Sequence, residues 1–157
     1  MLTTLDIKEP GLSLLPPGVE RYVVEGGGLT GIQILPEDEI EIINNDGNQI
    51  CEISVFNKDG KSELAILGLK EIKDNSEIKK ILFKKDETSL QALLQLKKRN
   101  LNIEKSKSSL IFDKETKAGE SIKLKSKDKC YCIIAAPGNE MIVHEQNPST
   151  ELTVMVK

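Results

Sequence analysis

The chain has 157 residues, of which 38% are hydrophobic and 30% charged, and its formal net charge is −3. This length suits one domain, because a domain of about 150 residues buries about two-thirds of the surface that its unfolded chain exposes. With no Trp and only five Tyr and Phe, the core must be built from Ile, Leu and Val. Three cysteines, no charged-then-apolar leader and no long apolar run argue against a disulfide framework, secretion and membrane insertion. We therefore expect a cytoplasmic protein with no membrane partner.

The first half of the chain predicts an extended arm followed by strands. Residues 1–18 form the arm, because Pro and Gly interrupt regular structure throughout it. Residues 19–157 are then expected to form a single β-rich domain. Its first strands are predicted from alternation and turn residues, as an antiparallel meander, at 21–25, 29–35, 39–43 and 50–57. Asn45-Asp46-Gly47 is interpreted as the hairpin turn between the last two.

Helical spacing replaces alternation between about residues 74 and 101. Ser76 is predicted to cap a first short helix, and Thr88-Ser89-Leu90-Gln91 matches the capping box of a second. The second helix carries leucines at helical spacing, which we expect to pack in the core: Leu90, Leu93, Leu94 and Leu96. This two-helix insertion is expected to lie against one side of the sheet.

Strand patterns return after the insertion, at 109–112, 121–125, 130–136 and 152–156. So many short strands need both faces and edges covered. The sequence therefore predicts an α+β fold that is predominantly antiparallel β, a barrel or sandwich of about seven to nine strands with a two-helix insertion.

Charge is unevenly distributed along the chain. Residues 70–129 carry seventeen Lys and Arg against ten Asp and Glu, a net charge of +7, and the remainder carries −10. A basic cluster is one feature of nucleic-acid binding, but the cluster here follows two predicted helices, where cations form the solvated face and complement the helix dipole. It also lacks interleaved aromatic residues. We therefore expect no nucleic-acid partner for these residues: Lys79, Lys80, Lys84, Lys85, Lys97, Lys98 and Arg99.

The candidate site lies at the start of the strand after the Asp46-Gly47 turn. Alternation places Cys51, Ile53 and Val55 on one face and Glu52 on the other, among apolar neighbours. If Glu52 is partly desolvated beside Gln49 and Asp46, it can bind a cationic or amide ligand, or act as an acid or base, because burial raises a carboxyl pKa. The alternative is an ordinary hairpin turn followed by a solvated glutamate. The residues alone leave both interpretations open.

A metal site is not favoured. Cys130 and Cys132 point the same way on a predicted strand, and Cys51 with His144 would complete a Cys3His set. Cysteines in strands are, however, commonly small buried hydrophobes, and the Cys-x-Cys spacing is not that of a zinc knuckle. A Cys132 and His144 nucleophilic pair lacks an identifiable oxyanion hole. The triple glycine at 26–28 lacks the Lys and helix of a phosphate loop, and no cofactor is expected.

Four sets of residues spread over nearly the whole chain carry a family resemblance. They are Pro16-Pro17-Gly18 with Gly26-Gly27-Gly28; Asp46-Gly47-Asn48-Gln49 with Glu52; Ala118-Gly119-Glu120-Ser121; and Ala135-Ala136-Pro137-Gly138 followed by Met141, Gln146 and Pro148-Ser149-Thr150-Glu151-Leu152-Thr153. With these residues the chain resembles the urea-carboxylase-associated family, a domain of unknown function. The likeness is closest to divergent members at the N-terminus of aminomethyltransferase-like proteins, which precede a folate-binding domain like the glycine-cleavage T-protein.

The resemblance implies where a ligand would bind and which partner the chain would have. Gln49 and Glu52 occupy the place of a Gln and an acidic residue in the family, so the expected ligand-binding residues are those of this turn and of the later motifs: Asp46, Gln49, Glu52, Pro137, Gly138 and Gln146. The catalytic residues are unknown. Expected partners are a T-protein-like folate-binding domain or subunit, a small-molecule ligand, and a second copy of the chain.

Two functions from different classes follow. The first is an accessory or ligand-binding domain of a folate-dependent aminomethyltransferase or demethylase of one-carbon metabolism, with no catalysis by this chain alone. The second is a small metal-dependent hydrolase of C–N bonds in urea-like or amidine substrates. Some members of the family act on such amidines with Cys and His metal ligands, whereas this chain has a single His.

Overall fold

A computed structural model of the chain describes residues 7–8, 18–70, 73–74, 76–83, 87–138 and 150–157. These residues form ten strands, a 3-10 helix at Leu64–Leu67 and two α-helices, α1 (Ser76–Leu82) and α2 (Glu87–Lys98). The strands are β1 (Ile7–Lys8), β2 (Glu20–Val24), β3 (Leu29–Ile34), β4 (Glu39–Asn44), β5 (Cys51–Phe56), β6 (Lys73–Asp74), β7 (Lys107–Phe112), β8 (Ser121–Lys125), β9 (Cys130–Ala135) and β10 (Leu152–Val156).

Eight strands of five or six residues form a sandwich of two antiparallel sheets. The first sheet has the order β3-β9-β5-β7, and the two-residue strands β1 and β6 extend it at its edges; the second has the order β2-β10-β4-β8. Strand β1 pairs parallel with β3. The predicted fold class, antiparallel β with two helices, is therefore confirmed. Of the two predicted architectures, a barrel or a sandwich, the chain adopts the sandwich.

The predicted meander is wrong. Strand β4 pairs with β8 and β10, whereas β5 pairs with β7 and β9, so the turn at Asn45-Asp46-Gly47 joins two sheets and is not a hairpin. Turn residues specify a local backbone conformation, but they do not specify which strand the next segment pairs with. That choice follows from burial, because each sheet must cover one apolar face with the other.

The main core lies between the two sheets. Alternate residues of facing strands are fully buried there, among them Ile40 and Ile42 of β4 and Ile53 and Val55 of β5. Each such side chain contributes about 1.5–3 kcal/mol when it is removed from water. Strand period therefore fixes which face of each strand points inward.

A second core lies on the outer face of the first sheet, beneath the helices. Phe56 and Ile133 contact apolar residues of α1 and α2, including Leu82 and Leu96. Strand β5 is consequently buried on both faces along its whole length. This second layer determines the environment of every outward-pointing side chain on β5.

Two details of the predicted helices are wrong. Helix α2 begins at Glu87, before the proposed capping box, and the Ser89 hydroxyl donates to the carbonyl of Ile81 at 2.9 Å, so it joins the helices. The leucines do not all pack in the core either, because Leu90 and Leu94 are 52% and 53% exposed. The face of α2 that packs against the sheet is too narrow to cover them, since it is centred on Ser89, Ala92 and Leu96.

Only Ile7, Lys8 and Gly18 of the predicted arm lie in the described ranges, and the division into an arm and a domain at residues 18 and 19 stays a prediction. Both α-helices fall within the predicted insertion. The Arg99 guanidinium lies 5.5 Å from the ring centre of Tyr131, and so contributes to packing of α2 on β9. Among the described residues, no helix is long and apolar enough to cross a membrane.

Candidate functional site

Gln49 is fully buried between β4 and β5, and its side chain uses both ends of its amide. Nε2 donates to the carbonyls of Ile50 at 2.9 Å and Pro137 at 2.8 Å. Oε1 accepts from the backbone N–H of Thr150 at 2.8 Å. Gln49 therefore holds the second residue after β9 and the second residue before β10 at one end of the sandwich.

Asn44 completes this arrangement, which we call the Gln49 network: Asn44, Gln49, Pro137 and Thr150. The Asn44 side chain is fully buried, and its Nδ2 donates to the backbone carbonyl of Gln49 at 2.8 Å. Asn44 Oδ1 and Thr150 Oγ1 are buried, and neither has a hydrogen-bond partner among the residues that the structure describes. A buried acceptor without a donor costs free energy, so this end of the sandwich is polar but incompletely satisfied.

The turn before Gln49 packs on the turn before β8. The backbone N–H of Asn48 donates to the carbonyl of Thr116 at 2.7 Å, and that of Gly119 donates to the carbonyl of Asn44 at 2.8 Å. Gly47 has a φ of +77°, and a Cβ there would lie 2.6 Å from the backbone nitrogen of Ala118. Glycine is therefore required twice, by conformation and by space. Asp46 is exposed beside it.

Glu52 lies on the outer face of the first sheet and is only 3% exposed. The Ser108 hydroxyl of β7 donates to its Oε1 at 2.6 Å. Its neighbours across the sheet are Ala135 on β9 and Leu110 on β7. The interpretation of Glu52 as a solvated strand residue is therefore wrong, because the second core covers this face; the alternative of a desolvated carboxylate describes it correctly.

The structure separates the proposed ligand-binding residues into different environments. Gln49 and Pro137 meet through a hydrogen bond in the interior, whereas Asp46 and Gly138 are exposed. Glu52 faces the helical side and bonds to Ser108. Gln146, the sixth residue of the set, lies outside the described residues, so whether the set forms one ligand site stays a prediction.

The three cysteines do not meet at one point, because Cys51 lies apart from the other two. Cys132 lies opposite Val55, and Cys51 is four positions further along β5, which corresponds to about 13 Å. Cys130 and Cys132 are neighbours, with 3.8 Å between their sulfur atoms. The hydroxyl oxygen of Ser126 lies 3.6 Å from the sulfur of Cys130. All three thiols are free and buried. No group of three metal-ligating side chains occurs within the described residues, and His144 lies outside them.

Burial sets the chemistry of these thiols. Desolvation, with a smaller effect from Glu52, raises the pKa of Cys51. The hydrogen bond between the adjacent pair lowers the pKa of Cys130 and, together with burial, raises that of Cys132 well above its usual value. The raised pKa values of Cys51 and Cys132 oppose formation of a thiolate, which is the form that acts as nucleophile or metal ligand.

Sequence reasoning missed the partners that fix the site. Asn44 continues the inward row of Ile40 and Ile42 on β4, so a polar residue at the next inward position was a usable signal. Ser108 gave no such signal, because its role depends on the pairing of β7 with β5.

Comparison with known proteins identifies a relative. The chain is 33% identical over 152 residues to trimethylamine-oxide aldolase of Ruegeria pomeroyi, and the match covers 96% of this chain and 19% of the relative. The chain thus spans about a fifth of the length of the enzyme it matches. No protein-family model matches. The chain is therefore related to one region of that enzyme.

Proposed function

We propose that the chain is a non-catalytic accessory domain of a folate-dependent aminomethyltransferase or demethylase. The extent of the match carries this proposal, because nearly the whole chain corresponds to only 19% of an enzyme. A unit of this kind contributes to a larger enzyme without containing its complete catalytic apparatus. Because the relative is a trimethylamine-oxide aldolase, we expect the larger enzyme to act on a small methylated amine or its N-oxide.

The hydrogen bonds of Gln49 and Glu52 support an accessory role. The side-chain amide of Gln49 is hydrogen-bonded to internal backbone groups, and the Glu52 carboxylate accepts a hydrogen bond from Ser108 inside the fold. Buried polar groups that are paired in this way specify structure. We therefore assign Gln49 and Glu52 to the conformation of the domain and not to a reaction.

The proposed partner is a T-protein-like folate-binding domain or subunit. The decisive experiment is size-exclusion chromatography of the chain with such a protein from the same organism at low salt, where a complex of the two is expected. The double variant Lys79→Glu with Lys80→Glu tests whether the partner binds at the helical face. The double variant Lys123→Glu with Lys125→Glu makes the same charge change on the second sheet and tests whether the partner binds there. Absence of a complex for the unmodified chain would contradict the proposal.

Activity and ligand binding are tested separately. The chain alone is expected to release no formaldehyde from trimethylamine N-oxide. If the region of Glu52 binds this substrate class, trimethylamine N-oxide will raise the melting temperature of the chain and the increase will be smaller for Glu52→Gln. Equal increases in the two proteins would refute a ligand role for that carboxylate.

The hydrolase alternative makes an opposite prediction. It requires stoichiometric zinc in protein purified without chelator, and loss of that zinc in Cys132→Ser or His144→Ala. The separation of Cys51 from Cys132 along β5 disfavours a shared site, so we expect metal content well below one ion per chain and an intact fold.

A further inference from the structure

Helix α2 presents a stripe of four exposed residues on the side that faces away from the sheet: Glu87, Leu90, Leu94 and Lys97. At about 100° per residue their side chains lie within about 80° of one another. The buried residues Ala92 and Leu96 are on the opposite side of the helix. The stripe has the spacing 3, 4, 3, which is the apolar seam spacing of paired helices.

The stripe has opposite charges at its two ends and a leucine beside each of them. Its two leucines, 52% and 53% exposed, lie at the middle, with an anion at the N-terminal end and a cation at the C-terminal end. If a second α2 lies antiparallel across this stripe, Leu90 meets the partner's Leu94 and Glu87 meets the partner's Lys97, at both ends. A parallel arrangement would instead place Glu87 against Glu87. The sequence of the stripe is thus complementary to itself in one orientation only.

We propose that this stripe is an isologous contact between two copies of the chain, with two antiparallel α2 helices related by a twofold axis. Such a contact uses the same patch on both subunits. Within the described part of the chain, no ion pair involves Glu87 or Lys97, so both charges are available to the partner. The inference does not rest on the proposed function.

Apolar surface continues beside the stripe. An open groove of about 510 Å³ is lined by Phe83, Leu93 and Lys97, among others, and Phe83 is 44% exposed. Contiguous exposed apolar surface on a protein commonly marks an interaction site. The stripe itself is about 15 Å long, so the contact is small and the dimer is expected to depend on concentration.

Charge reversal gives a sharp test by sedimentation equilibrium from about 10 µM to about 1 mM protein. The unmodified chain is expected to dimerise over this range. Glu87→Lys and Lys97→Glu should each weaken dimerisation by about tenfold or more, because each places like charges at both ends of the contact. The double variant restores opposite charges and should dimerise again.

Mixing the two single variants is the most specific measurement. Glu87→Lys carries two cations on its stripe and Lys97→Glu two anions, so each should dimerise much more weakly alone than the unmodified chain does, whereas a mixture should form a one-to-one heterodimer. Glu115→Lys and Lys123→Glu make the same charge changes at exposed sites away from the helices and should leave dimerisation unchanged. The exposed sites allow all variants to fold, which circular dichroism checks.

Three outcomes would overturn the proposal. The first is a chain that stays monomeric throughout the concentration range, even if the stripe then proves to bind a T-protein-like partner. The second is a dimer whose stability is unaffected by either Glu87→Lys or Lys97→Glu. A mixture of the single variants that remains monomeric would also refute the antiparallel register.

Discussion

The side chain of Gln49 accepts a 2.8 Å hydrogen bond from the backbone of Thr150, a residue 101 positions later in the chain. The same amide donates to Pro137, so one buried side chain connects the end of β9 with the start of β10. Because the two strands lie in different sheets, this contact also ties the sheets together. The stability of the sandwich should therefore depend on Gln49.

Replacing Gln49 with methionine should lower the free energy of unfolding by about 3 kcal/mol, because a side chain of similar size leaves buried backbone groups without partners. Urea unfolding measures the change. Gln95→Met on the exposed face of α2 is the matched control and should change stability by about 0.5 kcal/mol or less. A similarly small effect at Gln49 would show that the network is not structural.

Ser108→Ala should cost about 2 kcal/mol, since it removes the donor to a buried carboxylate. Ser109→Ala, at the neighbouring buried position, should cost less. Combining Ser108→Ala with Glu52→Leu, which removes the acceptor, in a double-mutant cycle measures the coupling between the two side chains. Strict additivity would contradict the contact between Ser108 and Glu52.

Gly47→Ala should destabilise the fold more than Gly27→Ala by about 2 kcal/mol. Both glycines have a φ near +80°, but a Cβ meets the backbone of Ala118 at the first position and open space at the second. The comparison therefore removes the conformational cost and leaves the steric one. Thermal unfolding of the two variants provides the measurement, and equal losses would place the turn of Gly47 away from the turn that contains Ala118.

Stability should fall at alkaline pH through Cys51. Burial raises the pKa of this thiol in the folded protein, so the unfolded chain releases its proton first, near its usual pKa of about 8.5. The stabilising contribution is complete below that pH and decreases as pH rises above it, by up to about 1.4 kcal/mol per pH unit. Cys51→Val should make this decline less steep between about pH 7.5 and 9.5 in urea unfolding under reducing conditions. The buried Cys132 thiol, whose pKa is also raised, keeps part of it, and an unchanged slope would exclude Cys51 as a cause.

Much of the fold was predictable because strand period and turn residues are local properties. The strands at Ser121–Lys125 and Leu152–Val156 have the predicted bounds, and the two helices lie in the predicted insertion. The hairpin at Asp46-Gly47 was wrong because strand partners are chosen by the burial of whole sheets. The prediction that Leu90 and Leu94 pack in the core was wrong for a similar reason. Helical spacing shows which residues share a face of a helix, but not how much of that face the sheet covers.

The sequence by itself determined that β5 is a strand, that Glu52 points away from Cys51, and that the chain is built from antiparallel β-structure with two helices. Only the tertiary structure decided that the outer face of β5 lies beneath a second core, and hence that Glu52 is buried against Ser108. Only it decided that Gln49 connects Pro137 to Thr150. The physical reason is that alternation is a property of neighbouring residues, whereas burial and hydrogen-bond partners depend on segments that lie 56 to 101 residues apart in the chain.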